Sequence, residues 1–448
     1  MRPSFARNSS QSAPAAGPPA AVRGWAVAVS VYVLAALHRS SLGVAGLQAE
    51  RRFGISAAQL SVFVLLQIGV YAAMQIPTGV LVDRVGPRRL LITAAALMGL
   101  AQLVFAIAPS YSTALLARGM LGCGDALTFV SVLRFSAARF PPRRYPAIVA
   151  ATGLLGTFGS VLATVPLSLA LTGLGWAPTF ATAGLLSLVA GTAVWALLPA
   201  DPPSAGRLLT TRAMGAKMGR VGRRVVSAWT HPGTRLGFWV HFACMSATTT
   251  FSVLWGFPYL VTGLGLSRTV ASSVLLTTVV VAALTTVAVG LLTTRRPDVR
   301  VPLAIGICVV TIAGWLVVVA LPPAVVPRGF VIALVCLMGA GAPTSAVAFA
   351  LARDYNRPSL VGTATGVVNV GGFAATMATS LLIGLILDVA GSTPNGFRLA
   401  LLALIGVQGF GTVQVLRWWL RARNFVLAEQ SKGRAVPVRV VRHRFDLG

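Results

Sequence analysis

The sequence has few acidic residues and few of the side chains that bind metals. Its 448 residues include 9 Asp and Glu, 4 His and 4 Cys, and charged residues make up 10% of the chain, against roughly 25% in soluble domains. The cysteines lie inside apolar stretches without the spacing of metal ligands. The sequence shows no nucleophile–base pair and no metal-binding cluster, so we predict neither an enzyme nor a protein that needs a cofactor or a metal.

Long apolar stretches dominate what is present. Hydrophobic residues make up 56% of the chain, and the mean hydropathy is +0.81. A helix needs about 20 apolar residues to cross a hydrocarbon core of roughly 30 Å, and runs of this length are too long for membrane strands. We predict an all-α membrane protein whose twelve transmembrane helices cover 25–46, 57–82, 90–109, 112–135, 146–171, 178–198, 236–262, 268–293, 301–321, 329–352, 361–388 and 397–420.

Basic residues outnumber acidic residues by 37 to 9, which gives a formal net charge of +28. If the N-terminus is cytoplasmic, most basic residues fall in cytoplasmic loops, tails or helix ends. This distribution follows the positive-inside rule and predicts a multi-pass protein of the plasma (inner) membrane with both termini in the cytoplasm. The expected neighbours of the arginines are anionic lipid headgroups rather than nucleic acid. The exceptions lie on the outer side or inside the membrane: Arg51, Arg52, Arg268, Arg328, Arg398, Arg39 and Arg118.

The hydrophobic pattern breaks over 199–235, where prolines, glycines and basic residues interrupt the apolar runs. Segment 79–84 (Gly-Val-Leu-Val-Asp-Arg) aligns with 290–295 (Gly-Leu-Leu-Thr-Thr-Arg), and 151–153 (Ala-Thr-Gly) aligns with 364–366, at nearly equal offsets of 211 and 213 residues. This agreement indicates a duplicated half. The predicted organisation is a disordered cytoplasmic tail over 1–24, pseudo-symmetric six-helix bundles over 25–198 and 236–420, a basic cytoplasmic linker over 199–235 and a basic cytoplasmic tail over 421–448.

The most informative motif is the charged turn over 79–89, Gly-Val-Leu-Val-Asp-Arg-Val-Gly-Pro-Arg-Arg, between the second and third predicted helices. A turn this short bridges two helix ends and interacts with their terminal dipoles. The motif resembles the loop of the major facilitator superfamily, Gly-x-x-x-Asp-Arg-x-Gly-x-Arg-Arg. The resemblance implies the major facilitator fold and a secondary transporter that works by alternating access. The positions that match are Gly79, Asp83, Arg84, Gly86, Arg88 and Arg89.

The duplicate of this turn in the second half lacks the acid, because Thr294 aligns with Asp83. Only the first half therefore keeps a carboxylate at this place. We interpret the 79–89 turn as a one-sided conformational latch, in which Asp83 pairs with loop arginines or with the N-terminus of the predicted helix over 361–388.

Ionisable residues inside predicted spans are the best functional candidates, because each costs roughly 2.5–3.5 kcal/mol on insertion scales. Arg39 lies in the first predicted helix, and Arg118 and Asp125 lie in the fourth. The second predicted helix adds Gln67, Tyr71 and Gln75 at i, i+4 and i+8, on one face. These polar groups either bind a ligand in a low-dielectric cavity or join helices by hydrogen bonds.

A narrower resemblance covers roughly the first 150 residues. Segments 36–45 (Ala-Leu-His-Arg-Ser-Ser-Leu-Gly-Val-Ala), 71–79 and 118–126 resemble helices 1, 2 and 4 of the anion:cation symporter family, which transports sugar acids and other organic anions. The resemblance implies that Arg39 and Tyr71 contact a substrate carboxylate and that Asp125 takes part in proton coupling with support from Arg118. Two positions depart from the family, since His38 stands where an acid is common and Asp125 replaces Glu.

The sequence therefore predicts proton-coupled uptake of a small organic anion. Arg39 would bind the carboxylate, Tyr71 and Gln75 would orient it, and Asp125 would carry the proton, because burial favours the neutral carboxyl. Two alternatives stay open. One is proton-driven export of drugs or metabolites, and the other is a non-transporting membrane sensor on the same fold.

Overall fold

The computed structural model describes residues 18–141, 144–200, 222–322, 325–356 and 360–433. Every regular element within these ranges is a helix, which confirms the predicted all-α fold class. Eleven of the helices in the described ranges are long and apolar enough to cross a membrane. The predicted tails and linker fall partly outside these ranges.

The first half of the chain forms long helices joined by short turns. Two of its predicted spans are divided. The helix of the first span, 25–46, is interrupted between Ser40 and Leu42, and that of the fifth, 146–171, is interrupted at Ala163 and Thr164. The elements are α1 Pro18–Ser40, α2 Leu42–Phe53, α3 Ala57–Val85, α4 Pro87–Ile107, α5 Tyr111–Arg139, α6 Tyr145–Leu162, α7 Val165–Gly173 and α8 Trp176–Leu197.

The second half repeats this arrangement with more interruptions. A short helix, α9, covers 222–230 inside the predicted linker. The remaining elements are α10 Pro232–Thr250, α11 Gly256–Pro258, α12 Arg268–Arg295, α13 Arg300–Ala320, α14 Arg328–Met338, α15 Gly341–Ser345, α16 Val347–Tyr355, α17 Val361–Ala390 and α18 Pro394–Ser431.

The predicted span over 236–262 is present as a composite rod rather than one regular helix. α10 continues through a π-helical turn over Phe251–Trp255, the short α11, and a second π-helical turn over Tyr259–Gly263. Proline inside a helix removes a backbone hydrogen bond and displaces the chain, and Pro258 lies between the two π-helical turns. Together with the eleven candidate spans named above, this rod makes the expected twelfth.

Both chain ends of the bundle carry more helix than the sequence predicted. α1 begins at Pro18, so residues 18–24 of the predicted tail are helical. α18 continues past the predicted end at 420 to Ser431. The Arg235 guanidinium carbon lies 4.7 Å from the centre of the Trp418 ring, and this cation–π contact joins α10 to α18 just before the extension. The Arg421 guanidinium carbon lies 4.6 Å from the same ring within α18.

The buried apolar core differs between the two ends of the bundle. We call the end that carries turns 54–56 and 391–393 the joined end, and the end that carries Gly86 and the Pro297–Val299 turn the split end. At the joined end both halves share one apolar cluster, which includes Leu60, Phe63, Leu254, Trp255 and Ile383. At the split end each half has a separate cluster, with Leu91, Val132 and Val194 in one and Leu236, Val301 and Val415 in the other. Among the described residues, the halves therefore share a buried apolar core at the joined end and have separate cores at the split end.

Close packing of α3 against α17 holds the joined end together. Ser61 Oγ donates a hydrogen bond to the carbonyl of Ser380 at 2.7 Å. A Cβ atom at Gly384 would lie 2.6 Å from Ser61 Oγ and 2.7 Å from the carbonyl oxygen of Ala57. Glycine is required at 384 because any side chain would push the helices apart.

The same two helices separate toward the split end. A Cβ atom at Gly79 of α3 would have no atom within 4 Å beyond its local backbone, among the described residues. The same holds for Gly362 and Gly366 of α17. Open space on both helices agrees with the division of the apolar core.

Candidate substrate and proton site

A buried ion pair joins α1 to α5 in the middle of the first half. Arg39 Nε donates to Asp125 Oδ2 at 2.7 Å, and Arg39 Nη2 donates to Asp125 Oδ1 at 2.6 Å. The Asp125 side chain is 1% exposed and the Arg39 side chain is 24% exposed. The paired donors of a guanidinium match the two oxygens of a carboxylate, so this contact is strong and directional. Arg39 is the partner that also faces open space.

Tyr71 lies against the face of the Arg39 guanidinium. The distance from Arg39 Cζ to the centre of the Tyr71 ring is 4.9 Å, within the range of a cation–π contact. The Tyr71 ring also meets Phe373 of α17 edge to face, with ring centres 5.2 Å apart. Gln75 lies one turn further along the same face of α3. The arginine is therefore held between an acid and an aromatic ring that contacts the other half.

Arg118 does not share this pair, although it lies on the same helix as Asp125. Two helical turns separate the residues by roughly 10 Å. Among the described residues, Arg118 donates to the His38 carbonyl, Ser41 Oγ and Gln67 Oε1 at 3.2–3.4 Å. In this conformation Arg118 braces the junction of α1 and α2, so it supports the helix that carries Arg39. Its expected part in proton coupling stays a prediction.

His38 is a buried structural residue in this conformation. Gln102 Nε2 donates to His38 Nδ1 at 2.8 Å, because an amide nitrogen can only donate. His38 Nε2 then carries the proton and donates to Ser187 Oγ at 2.7 Å. Both ring nitrogens are satisfied in the neutral form, and a proton on Nδ1 would face the amide hydrogens. His38 therefore joins α1, α4 and α8.

A cavity of about 290 Å³ lies between the halves, and Arg39 forms part of its wall. Ligand pockets for larger molecules span about 300–1,000 Å³, so this one suits a small ligand. Arg39 is the one charged residue in the lining that the described residues provide. The polar remainder is mostly hydroxyl groups: Tyr32, Ser40, Thr157, Ser160, Thr164, Thr248, Thr249, Ser252 and Thr278.

Several of these hydroxyl groups already donate their hydrogen to backbone carbonyls. Thr157 Oγ1 donates to Gly153, Thr248 Oγ1 to Met338 and Thr278 Oγ1 to Val274. Each oxygen keeps lone pairs that can accept a hydrogen bond. The cavity thus offers a strong donor at Arg39 and acceptors on both halves, which suits an anion that also carries O–H or N–H groups.

The structure brings together some of the predicted site residues and not others. Arg39 contacts both Tyr71 and Asp125, but Arg39 alone of the predicted substrate residues belongs to the described lining of the cavity. Tyr71 contacts the Arg39 guanidinium from outside this lining, and Gln75 lies one turn further along α3. Sequence reasoning missed Tyr32, which lines the same cavity and packs against Gly156. Its spacing of seven residues from Arg39 places both on one face of α1 and could have revealed it.

The predicted latch residues occupy the turn between α3 and α4. Gly86 has φ +89°, which glycine adopts at no steric cost, and Pro87 then begins α4. Arg88 donates to the carbonyl of Trp195 on α8. The side chains of Asp83 and Arg84 lie outside the described residues. Arg89 lies on the first turn of α4 and Gly79 on the last turns of α3, so the latch stays a prediction.

Comparison with known proteins identifies the family. The family model described as Major Facilitator Superfamily matches residues 28–326 and 248–445. The chain therefore belongs to the major facilitator superfamily, as its 79–89 turn predicted, and it is a membrane transporter. Family and fold point to a transporter rather than an enzyme.

Particular relatives are more distant. The probable sulfoacetate transporter SauU of Cupriavidus necator is 25% identical over 173 residues, which are 39% of this chain and 40% of that protein. The match thus spans less than half the length of the relative. Among solved structures, a bacterial homologue of the human lysosomal transporter Spinster, inward-facing and unoccupied, has a TM-score of 0.72 at 15% identity over 94% of this chain and all of that one. A D-xylose–proton symporter has a TM-score of 0.65 at 14% identity, with 89% and 97% covered. These structures establish the fold.

Proposed function

We propose that this transporter takes up a small organic anion together with a proton. The observation that carries the proposal is the paired contact of Arg39 with Asp125 at the wall of the cavity. A carboxylate of the protein occupies the position that a substrate carboxylate would need. The ionised Asp125 carboxylate and the substrate anion therefore compete for the same guanidinium, and a proton on Asp125 releases Arg39 to the anion.

The competition supplies the coupling. When Asp125 is ionised, its negative charge balances the positive charge of Arg39, and the pair has little affinity for an anion. When Asp125 takes up a proton, Arg39 becomes a buried cation without a partner, which is strongly unfavourable in a low-dielectric site. A substrate carboxylate restores the pair. One proton thus enters with each negative charge, and the loaded cavity has the same net charge as the empty one.

Tyr71 and Gln75 have a positioning part in this exchange. The Tyr71 ring keeps the Arg39 guanidinium in one plane while its partner changes, since the cation–π contact does not depend on the identity of the anion. Tyr71 also contacts Phe373 of the second half. A change of the anion bound to Arg39 would therefore act on a contact between the two halves. Gln75 extends the polar face of α3 toward the split end.

The proposed orientation of the protein in the membrane rests on the charge distribution. Following the positive-inside rule, we place the split end, and with it the predicted cytoplasmic tails, at the cytoplasmic face of a plasma (inner) membrane. The conformation described above is then open to the cytoplasm and closed to the outside. Arginines at the split end would contact anionic lipid headgroups.

The cargo that fits best is a small monoanion that carries hydroxyl groups. Arg39 provides one positive charge, and hydroxyl oxygens on both halves accept hydrogen bonds. The narrower sequence resemblance, to the anion:cation symporter family, and the partial likeness to a probable sulfoacetate transporter both point to organic anions.

The test is uptake by reconstituted protein across an imposed pH gradient, screened over sugar acids, other carboxylates, sulfonates and neutral drugs. We expect uptake of a hydroxylated anion to rise when the outer side is acidic. Asp125→Asn should abolish the pH dependence and net accumulation, because Arg39 is then free at every pH, while exchange of bound for external anion continues. Asp298→Asn, which changes an exposed acid at the split end, is the control and should behave as wild type. pH-dependent accumulation by Asp125→Asn would refute the assignment, and efflux of neutral drugs alone would favour export.

A further inference from the structure

The two helices that pack across the halves, α3 and α17, run antiparallel, so each begins at the end of the bundle where the other finishes. α3 begins at the joined end and finishes at Val85, whereas α17 begins at the split end and finishes at Ala390. A helix N-terminus has backbone N–H groups without helical partners and a partial positive charge. An acid near the end of one helix can therefore bind the N-terminus of the other wherever the halves meet.

Asp388 of α17 makes this contact at the joined end. Asp388 Oδ1 accepts a hydrogen bond from the backbone amide of Ala58 at 3.2 Å, and Asp388 Oδ2 accepts one from Ser56 Oγ at 2.7 Å. Ala58 lies on the first turn of α3, and Ser56 is the N-cap of that helix. A side chain of the second half thus supplies an acceptor that the first turn of a first-half helix would otherwise lack.

The position of the Ser56 side chain is fixed by its own helix. Ser56 Oγ accepts a hydrogen bond from the backbone amide of Gln59 at 3.2 Å, and the Gln59 side chain accepts one from the Ser56 amide at 2.9 Å. This reciprocal arrangement is a capping box. A hydroxyl has one hydrogen to donate, and that of Ser56 goes to Asp388. The bond between the halves therefore starts from a group that is already held in place.

Close packing places Asp388 beside this N-terminus. Ser380, Gly384 and Asp388 follow one another at i, i+4 and i+8, so they share one face of α17. The carbonyl of Ser380 accepts the hydrogen bond from Ser61, and the missing side chain at Gly384 lets the helices approach. Asp388 ends this row of contacts with α3 and is its charged member.

We propose that Asp388 is a latch that stabilises closure of the joined end, and that it is the counterpart of the latch predicted at Asp83. Each acid is the third-last residue of its helix, Asp388 in α17 and Asp83 in α3. The same two helices thus carry one acid for each closed end of the transporter. When the joined end opens, Asp388 leaves the N-terminus of α3 and water solvates both groups. The latch does not depend on the cargo or on proton coupling at Asp125.

The experiment measures opening of the joined end without any cargo. Nitroxide labels are attached to Ser112→Cys and Asn395→Cys, at exposed positions of the two halves at this end, in full-length protein whose four native cysteines are changed to alanine. Double electron–electron resonance then separates a shorter distance in the closed form from a longer distance in the open form. The ratio of the two populations gives the equilibrium directly.

We expect Asp388→Ala to raise the ratio of open to closed forms about tenfold, as for the loss of a charged helix cap. Asp388→Asn can keep both hydrogen bonds but loses the charge, so its effect should be smaller. Glu50→Gln is the matched control, because among the described residues no hydrogen bond joins this half-buried acid of the same end to the second half. It should not raise the ratio. Equal ratios in wild type and Asp388→Ala would overturn the proposal.

Two further variants separate a latch from a general effect on folding. In a Ser56→Ala background, Asp388→Ala should have a smaller effect, because one of its bonds is already lost. Equal effects in the two backgrounds would contradict the link between these side chains. Asp83→Asn should lower the ratio of open to closed forms, because it weakens the opposite end. No change, or a rise, in Asp83→Asn would refute the reciprocal arrangement.

Discussion

Arg39 has two possible partners, and its geometry suits both. Its two donors hold the Asp125 carboxylate at 2.6 and 2.7 Å, while about a quarter of its side chain remains exposed toward the cavity. A lysine at this place could keep the charge but would present a point donor instead of a fork. The specificity of the proposed exchange therefore depends on the shape of the guanidinium as well as on its charge.

Replacement of Arg39 tests this dependence. We expect Arg39→Lys to raise the KM for the transported anion at least about tenfold, because one of two charge-assisted hydrogen bonds is lost. Initial rates of uptake over a range of anion concentrations measure the effect. Arg52→Lys, at the joined end, is the matched control and should leave KM unchanged. An unchanged KM in Arg39→Lys would contradict direct contact between Arg39 and the anion.

The residues of the site could be predicted only in part. Arg39, Arg118 and Asp125 stand out because a charge inside an apolar run is costly and needs a reason. Their pairing could not be predicted, since helical spacing says which residues share a face but not which helix lies opposite. The hydroxyl groups of the cavity gave no signal either. Residues such as Thr278 are common in membrane helices, where they donate to the backbone four positions earlier.

At the scale of elements, the contact between α3 and α17 controls the joined end. The helices approach closely enough that a Cβ atom at Gly384 would meet backbone atoms at 2.7–2.8 Å, and backbone cannot move as a flexible side chain does. Ser61 and Ser380 add a hydrogen bond across the same contact. The close fit of this contact limits how far any side chain at 384 can be accommodated between the halves.

Gly384→Val should therefore open the joined end. Overpacking of this kind costs about 1–3 kcal/mol, so we expect the accessible fraction of a cysteine at 377 to rise about tenfold or more. The rate at which a membrane-impermeant maleimide alkylates a Met377→Cys variant, at constant pH and with the four native cysteines changed to alanine, measures the change. Gly406→Val on α18, where a side chain has free space, is the control. If accessibility is the same in both variants, close packing at 384 does not hold the end closed.

The sequence predicted which membrane-spanning helices form, but it did not predict where they are interrupted. Apolar runs predicted most span ends within a few residues, because length and hydropathy decide what can cross a membrane, but the start of α1 and the end of α18 extend further than predicted. The run over 236–262 did not reveal its two π-helical turns, and the run over 329–352 divides into α14, α15 and α16. Such breaks depend on neighbouring helices that satisfy the freed backbone groups, so no local pattern predicts them.

At the scale of the whole molecule, the 79–89 turn lies at the split end, where the halves are apart. A latch at this end would act when the halves meet here, in the opposite conformation. We expect Asp83→Asn to leave folding intact and to slow net uptake several-fold. Turnover at saturating anion and the midpoint of thermal unfolding measure the two effects. Normal turnover in Asp83→Asn would refute the latch, and a large loss of thermal stability would assign Asp83 to folding instead.

The unequal division of the apolar core has a thermodynamic consequence. One shared cluster at the joined end must be hydrated when that end opens. The faces that would meet at the split end include Gly79, Gly362 and Gly366, which have no side chain to bury. Hydration of apolar surface raises the heat capacity. The equilibrium between the two forms should therefore be curved in temperature, and cooling should loosen the joined end because apolar burial weakens in the cold. The equilibrium between the two forms of this transporter should therefore depend on temperature through apolar packing alone, without any titrating group.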